Sequence, residues 1–304
     1  PILRDDEFEV YRHINQRFAE HVANSAPTGA QVWVHDYQLQ LVPLLLRRIR
    51  PDLRIGFFLH VPFPAAPEFN TLPWKEDILQ GLLAADVVGF QTGASVERFF
   101  TQCCARPGIQ REGNGLFLRD SARHVKIDAF PVGPDAARFA RMAVTAAVGE
   151  QASKLRSDFR SPDCILLGID RLDYTKGIDL RLLAVADVLK SEEFRHRDIQ
   201  FIQIAMPSRT HLAEYRSLCA NVKRTLHTVN ANLSALGLRP IHYVYQALST
   251  EDVVALYVAS DVMLVTSLSD GMNLVSKEFI ASRAEDGGRL VLSRNAGAAV
   301  QLPD

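Results

Sequence analysis

The sequence predicts an α/β protein with two doubly wound domains, each built on a mainly parallel sheet. Three observations support this fold class. Short apolar runs alternate with helical patterns along most of the 304 residues, as in consecutive βαβ units. The alternation is interrupted once, at residues 131–160, which are rich in Ala and Arg and lack a strand pattern. The length also exceeds what one core usually holds. We therefore expect domains at residues 1–140 and 141–304.

The first domain opens with a helical pattern over residues 8–22, which places Tyr11, Ile14, Phe18 and Val22 on one apolar stripe. Three buried strands are predicted next, and a helix follows each of them. The strands are Gln31–His35, Arg54–His60 and Val87–Phe90, and the helices run to Arg50, over Lys75–Ala84 and over Ala94–Cys104. The runs 115–118 and 125–130 alternate like an antiparallel hairpin at the sheet edge.

The second domain repeats the alternation with longer apolar runs. Its predicted strands are Cys164–Ile169, Ile199–Ala205, Ile241–Tyr245, Asp261–Thr266 and Arg289–Leu292. Its predicted helices are Ile178–Leu189, Thr210–Leu236, Thr250–Ala259 and Asn273–Ser282. Ligands of doubly wound sheets bind beyond the carboxyl ends of the strands, so functional residues are expected there.

Residues 267–278 form the turn between the last buried strand and its helix, and they carry the strongest functional signal. The first N–H groups of a helix lack intrahelical partners and face partial positive charge, so an anion is favoured at this turn. Gly271 allows a ligand to approach the backbone closely. Glu278 lies one turn into the helix, where its carboxylate could accept hydrogen bonds from ligand hydroxyls. The turn therefore predicts a site for a sugar nucleotide diphosphate.

Polar side chains also follow the carboxyl ends of other predicted strands. These residues are Asp36, His60, Arg171, Lys176, Arg209 and Asp270. Such a set predicts one cleft between the two domains, lined by these strand ends.

Structural roles are open for the same residues. Asp36 precedes a helix and could be an N-cap, and His60 could be a satisfied core histidine. Arg171 and Lys176 flank a turn and could simply be solvated. Arg209 could cap the preceding sheet edge.

Composition excludes several classes of function. The net charge of −1 gives no reason to expect nucleic acid or an anionic membrane surface as a partner. No apolar run approaches the ~20 residues of a membrane span. The four cysteines lack metal-ligand spacing and suggest buried thiols in a reducing compartment. We expect a cytoplasmic protein that needs no metal and no cofactor.

Six sequence blocks, in order along the chain, resemble the signatures of the α,α-trehalose-phosphate synthases. The blocks are residues 34–39 (VHDYQL), 57–64 (FFLHVPFP), 72–74 (LPW), 89–92 (GFQT), 170–177 (DRLDYTKG) and 270–278 (DGMNLVSKE). The resemblance implies a retaining, metal-independent glycosyltransferase with the GT-B arrangement of two Rossmann-like domains facing across a cleft. It also implies transfer of glucose from a nucleoside-diphosphate glucose, such as UDP-glucose, to glucose 6-phosphate, which gives trehalose 6-phosphate.

The resemblance assigns donor-binding roles to residues of the second domain. Arg171 and Lys176 match the cations that grip the diphosphate, and Glu278 matches the carboxylate that holds the ribose. Asp270 matches a residue that orients the glucose hydroxyls. The backbone around Leu248 matches a neighbour of the nucleobase. The backbone amides that match those at the phosphate and sugar belong to Met272, Asn273, Leu274 and Val275, next to Gly271.

Acceptor-side and catalytic roles follow in the same way. Asp36 and Tyr37 match acceptor contacts, and Arg209 matches a cation that reaches the acceptor phosphate. His60 matches the residue near the primary hydroxyl of the donor sugar and the reacting carbon. The implied catalytic set is His60, Asp36, Arg171 and Lys176.

The sequence departs from the family pattern in ways that leave alternatives open. The N-terminal segment with its Gly-rich loop and the C-terminal bracing helices have no counterpart here, so both domains are expected to be truncated and one apolar sheet face partly uncovered. Arg294-Asn295 and residues 228–232 also differ from the usual blocks, which leaves the nucleotide preference open. A transferase for another polyol- or cyclitol-phosphate acceptor and a non-catalytic sugar-phosphate-binding protein remain alternatives. A homo-oligomer is compatible with the resemblance.

Overall fold

The computed structural model describes residues 4–284 and 287–302. The chain divides into two compact units, residues 1–132 and residues 133–304. Helix Ala136–Ala143 packs on three helices of the second unit. The residues between 133 and 140, which the sequence analysis assigns to the first domain, therefore lie in the second unit.

The first unit contains a six-stranded sheet with the strand order β1-β2-β3-β6-β5-β4. The strands are β1 (Gln31–His35), β2 (Arg54–Leu59), β3 (Val87–Phe90), β4 (Ile109–Glu112), β5 (Gly115–Leu118) and β6 (Arg123–Ala129). Strands β1, β2, β3 and β6 are mutually parallel, whereas β5 pairs antiparallel with both β6 and β4. The expected antiparallel edge is present. Strand β4 was missed because its sequence, IQRE, is short and largely polar.

Five α-helices in the described part of the first unit accompany this sheet. They are α1 (Asp5–Ser25), α2 (Val42–Ile49), α3 (Ala66–Phe69), α4 (Lys75–Leu83) and α5 (Gly93–Cys104). Local chemistry fixes some of their starts. The Thr92 side chain accepts a hydrogen bond from the Ser95 amide at the N-terminus of α5, and a proline occupies the first turn of α2, where its missing N–H costs nothing.

The buried face of α1 differs from the predicted stripe. Ile14 and Phe18 are 44% and 49% exposed, whereas Ala19 and the polar Asn15 are fully buried. The small alanine permits close contact with α2, and the Asn15 amide is satisfied by the carbonyls of Tyr11 and Gln38 and by the amide of Leu41. A satisfied amide can be buried at little cost.

Most buried strand side chains of the first unit lie on one face of its sheet, although Phe58 is buried on the other. Val34, Phe57 and Val88 belong to the single core cluster that the helices cover. On the opposite face, the ring of Trp33 is 69% exposed and that of Phe130 42% exposed. As expected, one apolar face of this sheet is partly uncovered in the described part of the chain.

The second unit contains a five-stranded, fully parallel sheet with the order β11-β10-β7-β8-β9. Its strands are β7 (Cys164–Arg171), β8 (Ile199–Met206), β9 (His242–Val244), β10 (Val262–Val265) and β11 (Arg289–Leu292). The five predicted strands are therefore present, with ends that shift by one or two residues.

Helices lie on both faces of the second sheet. They are α6 (Ala136–Ala143), α7 (Ala146–Asp158), α8 (Ile178–Lys190), α9 (Ala213–Ala235), α10 (Thr250–Ala259) and α11 (Leu274–Ser282). One core cluster joins Ile165 and Ile204 to α7, α10 and α11, while a second joins Phe201 to α8 and α9. Alternate residues of the same strands thus enter opposite cores, which is the doubly wound arrangement.

Candidate active site

The polar residues singled out in the sequence follow carboxyl ends of parallel strands. In the first unit, Asp36 directly follows β1 and His60 directly follows β2. In the second unit, Arg171 is the last residue of β7, and Arg209 and Asp270 follow β8 and β10 within a few residues. Because neighbouring strands are parallel, each unit gathers its own set at one edge of its sheet.

Asp36 serves the neighbouring strand rather than its own helical turn. Its side chain makes no N-cap hydrogen bond, and Oδ1 accepts one from the backbone N–H of His60 at 3.1 Å. The backbone of Asp36 has a φ of 69°, a conformation that is uncommon outside glycine and costs energy. The N-cap alternative is therefore wrong, and the carboxylate links the ends of β1 and β2.

His60 is paired with a second histidine that the sequence analysis did not single out. Nδ1 of His35 and Nε2 of His60 lie 2.9 Å apart, so one of the two nitrogens donates the shared proton. Burial and the neighbouring His60 lower the pKa of His35. His60 is half-buried and rests 4.8 Å from the ring of Phe58. It is therefore not a core histidine. Tyr37, next to Asp36, is 37% exposed.

Lys176 and Asp270 form the most direct contact within the predicted donor set. Their side chains are ion-paired and only 12% and 14% exposed, and Nδ2 of Asn273 also donates to Asp270 at 3.0 Å. Lys176 is thus not a solvated surface lysine. Arg171 is exposed and contacts no hydrogen-bond or ion-pair partner among the described residues, so its guanidinium stays available at the end of β7.

A buried ion pair anchors the segment that carries Arg171 and Lys176. Asp170 pairs with Arg181 of α8, and their side chains are 3% and 1% exposed. Burial raises the pKa of Asp170, and the charge of Arg181 opposes that effect. Arg181 also bonds to Gln203 of β8 at 3.0 Å and to Thr266 after β10 at 2.8 Å. One guanidinium therefore links β8 to the ends of β7 and β10.

The N-terminus of α11 is open, as the sequence predicts for an anion site. Asn273 has a φ of 76°, and its side chain accepts a hydrogen bond from the Ser276 amide. The amides of Leu274 and Val275 find no acceptor in the described part of the chain, which is usual for a first helical turn. These two donors, with the helix dipole, favour a negatively charged group.

Residues 295–298 hold the turn before α11 through the backbone. The Ala298 amide donates to the Met272 carbonyl at 2.6 Å, and the Gly297 amide donates to the Asp270 carbonyl at 3.1 Å. A Cβ atom at Gly297 would lie 2.0 Å from the carbonyl oxygen of Gly271. The close approach of the two segments therefore requires glycine at position 297.

Glu278 has a partner that no sequence motif indicated. The hydroxyl of Tyr257, on α10, donates to Oε2 of Glu278 at 3.0 Å. Burial raises the pKa of Glu278, and the bond from Tyr257 acts in the opposite direction. Neither Glu278 nor Arg171 is hydrogen-bonded to the group of Lys176, Asp270 and Asn273.

Arg209 is held by a second buried tyrosine that the sequence analysis missed. Nη1 of Arg209 donates to the hydroxyl of Tyr215 at 2.7 Å, and that hydroxyl donates to Asp173 at 3.0 Å. Asp173 also accepts from the amide and hydroxyl of Thr175, and the Thr175 carbonyl accepts from the Leu268 amide at 2.8 Å. Hydrogen bonds thus connect Arg209 to the turn before α11.

Leu248 lies apart from the charged group. It lines a cavity of about 250 Å³ with Gln246, Asp252 and His242, and it directly precedes Ser249, the N-cap of α10. The cavity offers amide, carboxylate and imidazole groups beside an apolar wall.

Within the described ranges, His, Cys, Asp and Glu side chains form no cluster of three that could hold a metal ion. None of the helices in those ranges is both long and apolar enough to cross a bilayer. Of the cysteines, only Cys103 is buried and Cys104 is exposed, so the expectation of four buried thiols was wrong. Spacing along the chain does not reveal which side of an element a thiol occupies.

Comparison with known proteins decides the family. Residues 3–304 match the sequence profile of glycosyltransferase family 20. The chain belongs to this family. The match covers both units, and with the α/β architecture of both sheets it agrees with the fold class that the sequence predicts.

Two relatives show the extent of the match within the family. The chain is 42% identical over 309 residues to a trehalose-6-phosphate synthase from Mycolicibacterium vanbaalenii and 40% identical to one from Mycobacterium tuberculosis. The first alignment covers 99% of this chain and 63% of the relative. The chain therefore spans less than two thirds of the length of the curated relatives that it matches.

Solved structures of the family have the same fold. A UDP-forming α,α-trehalose-phosphate synthase from Burkholderia xenovorans, solved with glucose-6-phosphate, superposes with a TM-score of 0.92 at 29% identity and covers 99% of this chain and 67% of that one. An E. coli structure bound with UDP-2-fluoro glucose gives a TM-score of 0.90 at 29% identity, with 98% and 66% covered. These scores confirm the predicted GT-B fold class.

Proposed function

We propose that the protein transfers glucose from a nucleoside-diphosphate glucose to glucose 6-phosphate, giving trehalose 6-phosphate with retention at the donor carbon. The observation that carries the proposal is the carboxyl edge of the second sheet. There, an open helix N-terminus adjoins the ion-paired Lys176 and Asp270. The names of the relatives give the reaction, and that of the Burkholderia xenovorans structure, a UDP-forming enzyme, favours UDP as the nucleotide.

On the donor side, charge and geometry suit a diphosphate. The amides of Leu274 and Val275 would bind phosphate oxygens together with the exposed Arg171, while Lys176 would turn from Asp270 toward the phosphate. Asp270, Gly271, Met272 and Asn273 would then border the glucose. Fixed cations and amides stabilise the negative charge that grows on a departing phosphate.

Different residues are candidates for binding the ribose and the nucleobase of the nucleotide. Glu278 would accept hydrogen bonds from the ribose hydroxyls, because its carboxylate is half-buried and one of its oxygens is not engaged by described residues. The nucleobase would lie near the backbone of Leu248, beside the cavity described above.

Each unit has candidate residues for the acceptor in this proposal. Asp36, Tyr37 and His60 of the first unit would contact the reacting sugars, and Arg209 of the second would bind the acceptor phosphate. The tether from Arg209 to Tyr215 limits its motion, which suits a residue that must hold a phosphate in one place. We therefore assign the acceptor side to the first unit, residues 1–132, and nucleotide-sugar binding to the second, residues 133–304.

The chemistry proposed is attack from the same face that the diphosphate leaves. The anomeric hydroxyl of glucose 6-phosphate bonds to the donor carbon while the bond from that carbon to the diphosphate oxygen breaks. The hydroxyl proton passes to the departing phosphate. Retaining glycosidases instead use two carboxylates about 5 Å apart, and no matched block supplies a second carboxylate for the reacting carbon. The protein then contributes position and charge stabilisation.

A donor and acceptor panel on the full-length protein tests this function. Nucleotide release is followed with UDP-, GDP- and ADP-glucose, each with glucose 6-phosphate, glycerol phosphate or an inositol phosphate. We expect release to require glucose 6-phosphate and to be fastest with UDP-glucose. Release that requires a different acceptor would favour the sibling transferase. Binding of sugar phosphate with no release for any pair would favour a non-catalytic protein.

The variant Arg171→Ala tests the proposed donor site. We expect turnover to fall about a hundredfold or more, because a fixed cation opposite the departing phosphate is lost, with an unchanged unfolding transition since Arg171 is exposed. Arg138→Ala removes another exposed arginine and should leave turnover unchanged. Turnover of the Arg171→Ala protein at the wild-type level would refute the assigned role.

We also propose that the protein acts in the cytoplasm. Sugar phosphates and nucleotide sugars are the substrates assigned to it, and its four cysteines are free thiols, which is usual in a reducing compartment.

A further inference from the structure

Tyr257 places a hydroxyl from the protein core against Glu278. The Tyr257 side chain has 0% exposure, and its ring meets that of Phe279 edge-on at 5.9 Å between centroids. Its hydroxyl reaches Oε2 of Glu278, 21 residues further along the chain, at 3.0 Å. Helices α10 and α11 are thereby joined at the residue that carries the ribose carboxylate in the proposed function.

The direction of this hydrogen bond is fixed. Burial, followed by the charge of Glu278, raises the pKa of Tyr257 far above its ordinary value, so the hydroxyl stays protonated and donates. Oε1 of Glu278 is bonded to no described residue. A glutamate side chain has three rotatable torsions, and a donor that cannot move removes much of that freedom. One carboxylate oxygen is therefore held, and the other is left for a ligand.

We propose that Tyr257 is a positioning residue: it holds Glu278 so that the free carboxylate oxygen meets the ribose hydroxyls of the donor nucleotide. This inference rests on the proposed function, and it adds a specificity role to a residue outside every recognised block. Tyr257 would set the preference for a ribonucleotide over a deoxyribonucleotide. Its position is determined by the core, so the orientation of Glu278 would already be set before the nucleotide arrives.

A purely structural role for the hydroxyl makes a different prediction. A buried phenol generally needs an acceptor, and Glu278 could simply fill that need. In that case, removal of the hydroxyl would weaken every ligand of the second unit to the same degree. If Tyr257 acts through Glu278, the loss is confined to ligands that carry ribose hydroxyls.

Calorimetric titration of the full chain separates these two cases. The ligands are UDP, or the diphosphate bound most tightly in the panel above, and its 2′,3′-dideoxy analogue. The proteins are wild type, Tyr257→Phe, Glu278→Gln and the double variant. Tyr243→Phe is the matched control, because the Tyr243 hydroxyl is buried with no partner among the described residues. The ratio of the two affinities is internal to each protein and does not depend on the fraction folded.

We expect Tyr257→Phe to weaken UDP about tenfold, as for loss of a charge-assisted hydrogen bond, and to leave the dideoxy analogue unchanged. In the Glu278→Gln background the same substitution should have no further effect, and Tyr243→Phe should bind like wild type. Equal weakening of both ligands, or wild-type UDP affinity in Tyr257→Phe, would overturn the inference. If Glu278→Gln itself binds UDP like wild type, the ribose role assigned to Glu278 fails, and this inference fails with it.

Discussion

At the scale of single residues, tertiary partners decide what each polar side chain does. Asp36 and Glu278 are both carboxylates next to a helix start or within its first turns, yet one binds the backbone of a neighbouring strand and the other a buried phenol. Lys176 is neutralised by Asp270, whereas Arg171 remains exposed. The same residue types therefore take different roles, because their neighbours differ.

Asp86 is a carboxylate of the first unit with several structural partners. It accepts hydrogen bonds from the Ile55 amide and Arg47, both at 2.7 Å, and from Arg123 at 3.3 Å. Burial acts to raise the pKa of Asp86, but these hydrogen bonds and charges outweigh it and leave the pKa lowered. The charged form is thus favoured by folding.

Asp86→Asn should therefore destabilise the protein in a pH-dependent way. A carboxyl with a lowered pKa contributes stability above its unfolded pKa, near 4, and loses it as the pH falls through the folded value. We expect a loss of about 1–2 kcal/mol at pH 7, discounted for partial exposure, and a smaller loss at pH 3. Urea unfolding at the two pH values measures it.

Asp120→Asn is the control for this comparison, because Asp120 is exposed in the turn between β5 and β6 and its side chain bonds to no described residue. It should change the unfolding free energy by less than about 0.5 kcal/mol at either pH. If Asp86→Asn lowers the free energy of unfolding equally at pH 7 and pH 3, the shape of the Asp86 side chain matters rather than its charge.

At the scale of elements, backbone hydrogen bonds hold the turn before α11. The turn before α11 receives amides from Gly297 and Ala298, and the carbonyl of Thr175 accepts the amide of Leu268 from the other side. Each contact joins segments that follow different strands. The open N-terminus of α11 is therefore positioned by the loops that follow β7 and β11.

Gly297→Ala should disrupt this arrangement. The added methyl group would lie 2.0 Å from the Gly271 oxygen and 3.1 Å from Cα of Met272, so the turn before α11 must shift. We expect nucleoside diphosphate affinity to fall about tenfold or more, since displaced amides lose hydrogen bonds to a charged ligand. Calorimetric titration measures the affinity. Gly149→Ala, whose methyl group meets nothing within 4 Å, should bind normally, and normal binding by Gly297→Ala would contradict the expectation.

At the scale of the whole molecule, the chain folds as two units with separate cores. The first unit buries one cluster and the second buries two. The first sheet exposes the rings of Trp33 and Phe130 on one face, and the second sheet leaves Val291 49% exposed. Two compact units that share no core residues are expected to unfold in separate steps.

Two glycine substitutions test this independence by scanning calorimetry. In Gly81→Ala, the methyl group would lie 2.3 Å from the Gln40 oxygen, so α4 and the start of α2 must separate. We expect the free energy of unfolding of the first unit to fall by about 2–4 kcal/mol. Gly149→Ala, within α7 of the second unit, should raise the free energy of unfolding of the second unit by about 0.5–1 kcal/mol. A single transition that responds to both substitutions would show that the units unfold together.

The sequence by itself determined the order of strands and helices, the position of the polar residues after strand ends, and the family. Apolar periodicity and local turn chemistry depend on near neighbours along the chain, and six blocks in order are specific enough to identify relatives. Prediction from the sequence missed β4, whose four residues show no apolar alternation. It also chose the wrong buried face of α1, where small alanines and a satisfied Asn15 are buried instead of larger apolar side chains.

Only the tertiary structure decided which side chains meet. The pairs of His35 with His60, Tyr257 with Glu278, and Lys176 with Asp270 join residues 25, 21 and 94 positions apart. Such contacts depend on how strands are ordered and how helices pack, and neither leaves a signal in local spacing. The physical reason is that periodicity specifies the face of an element, whereas packing against other elements specifies its partners.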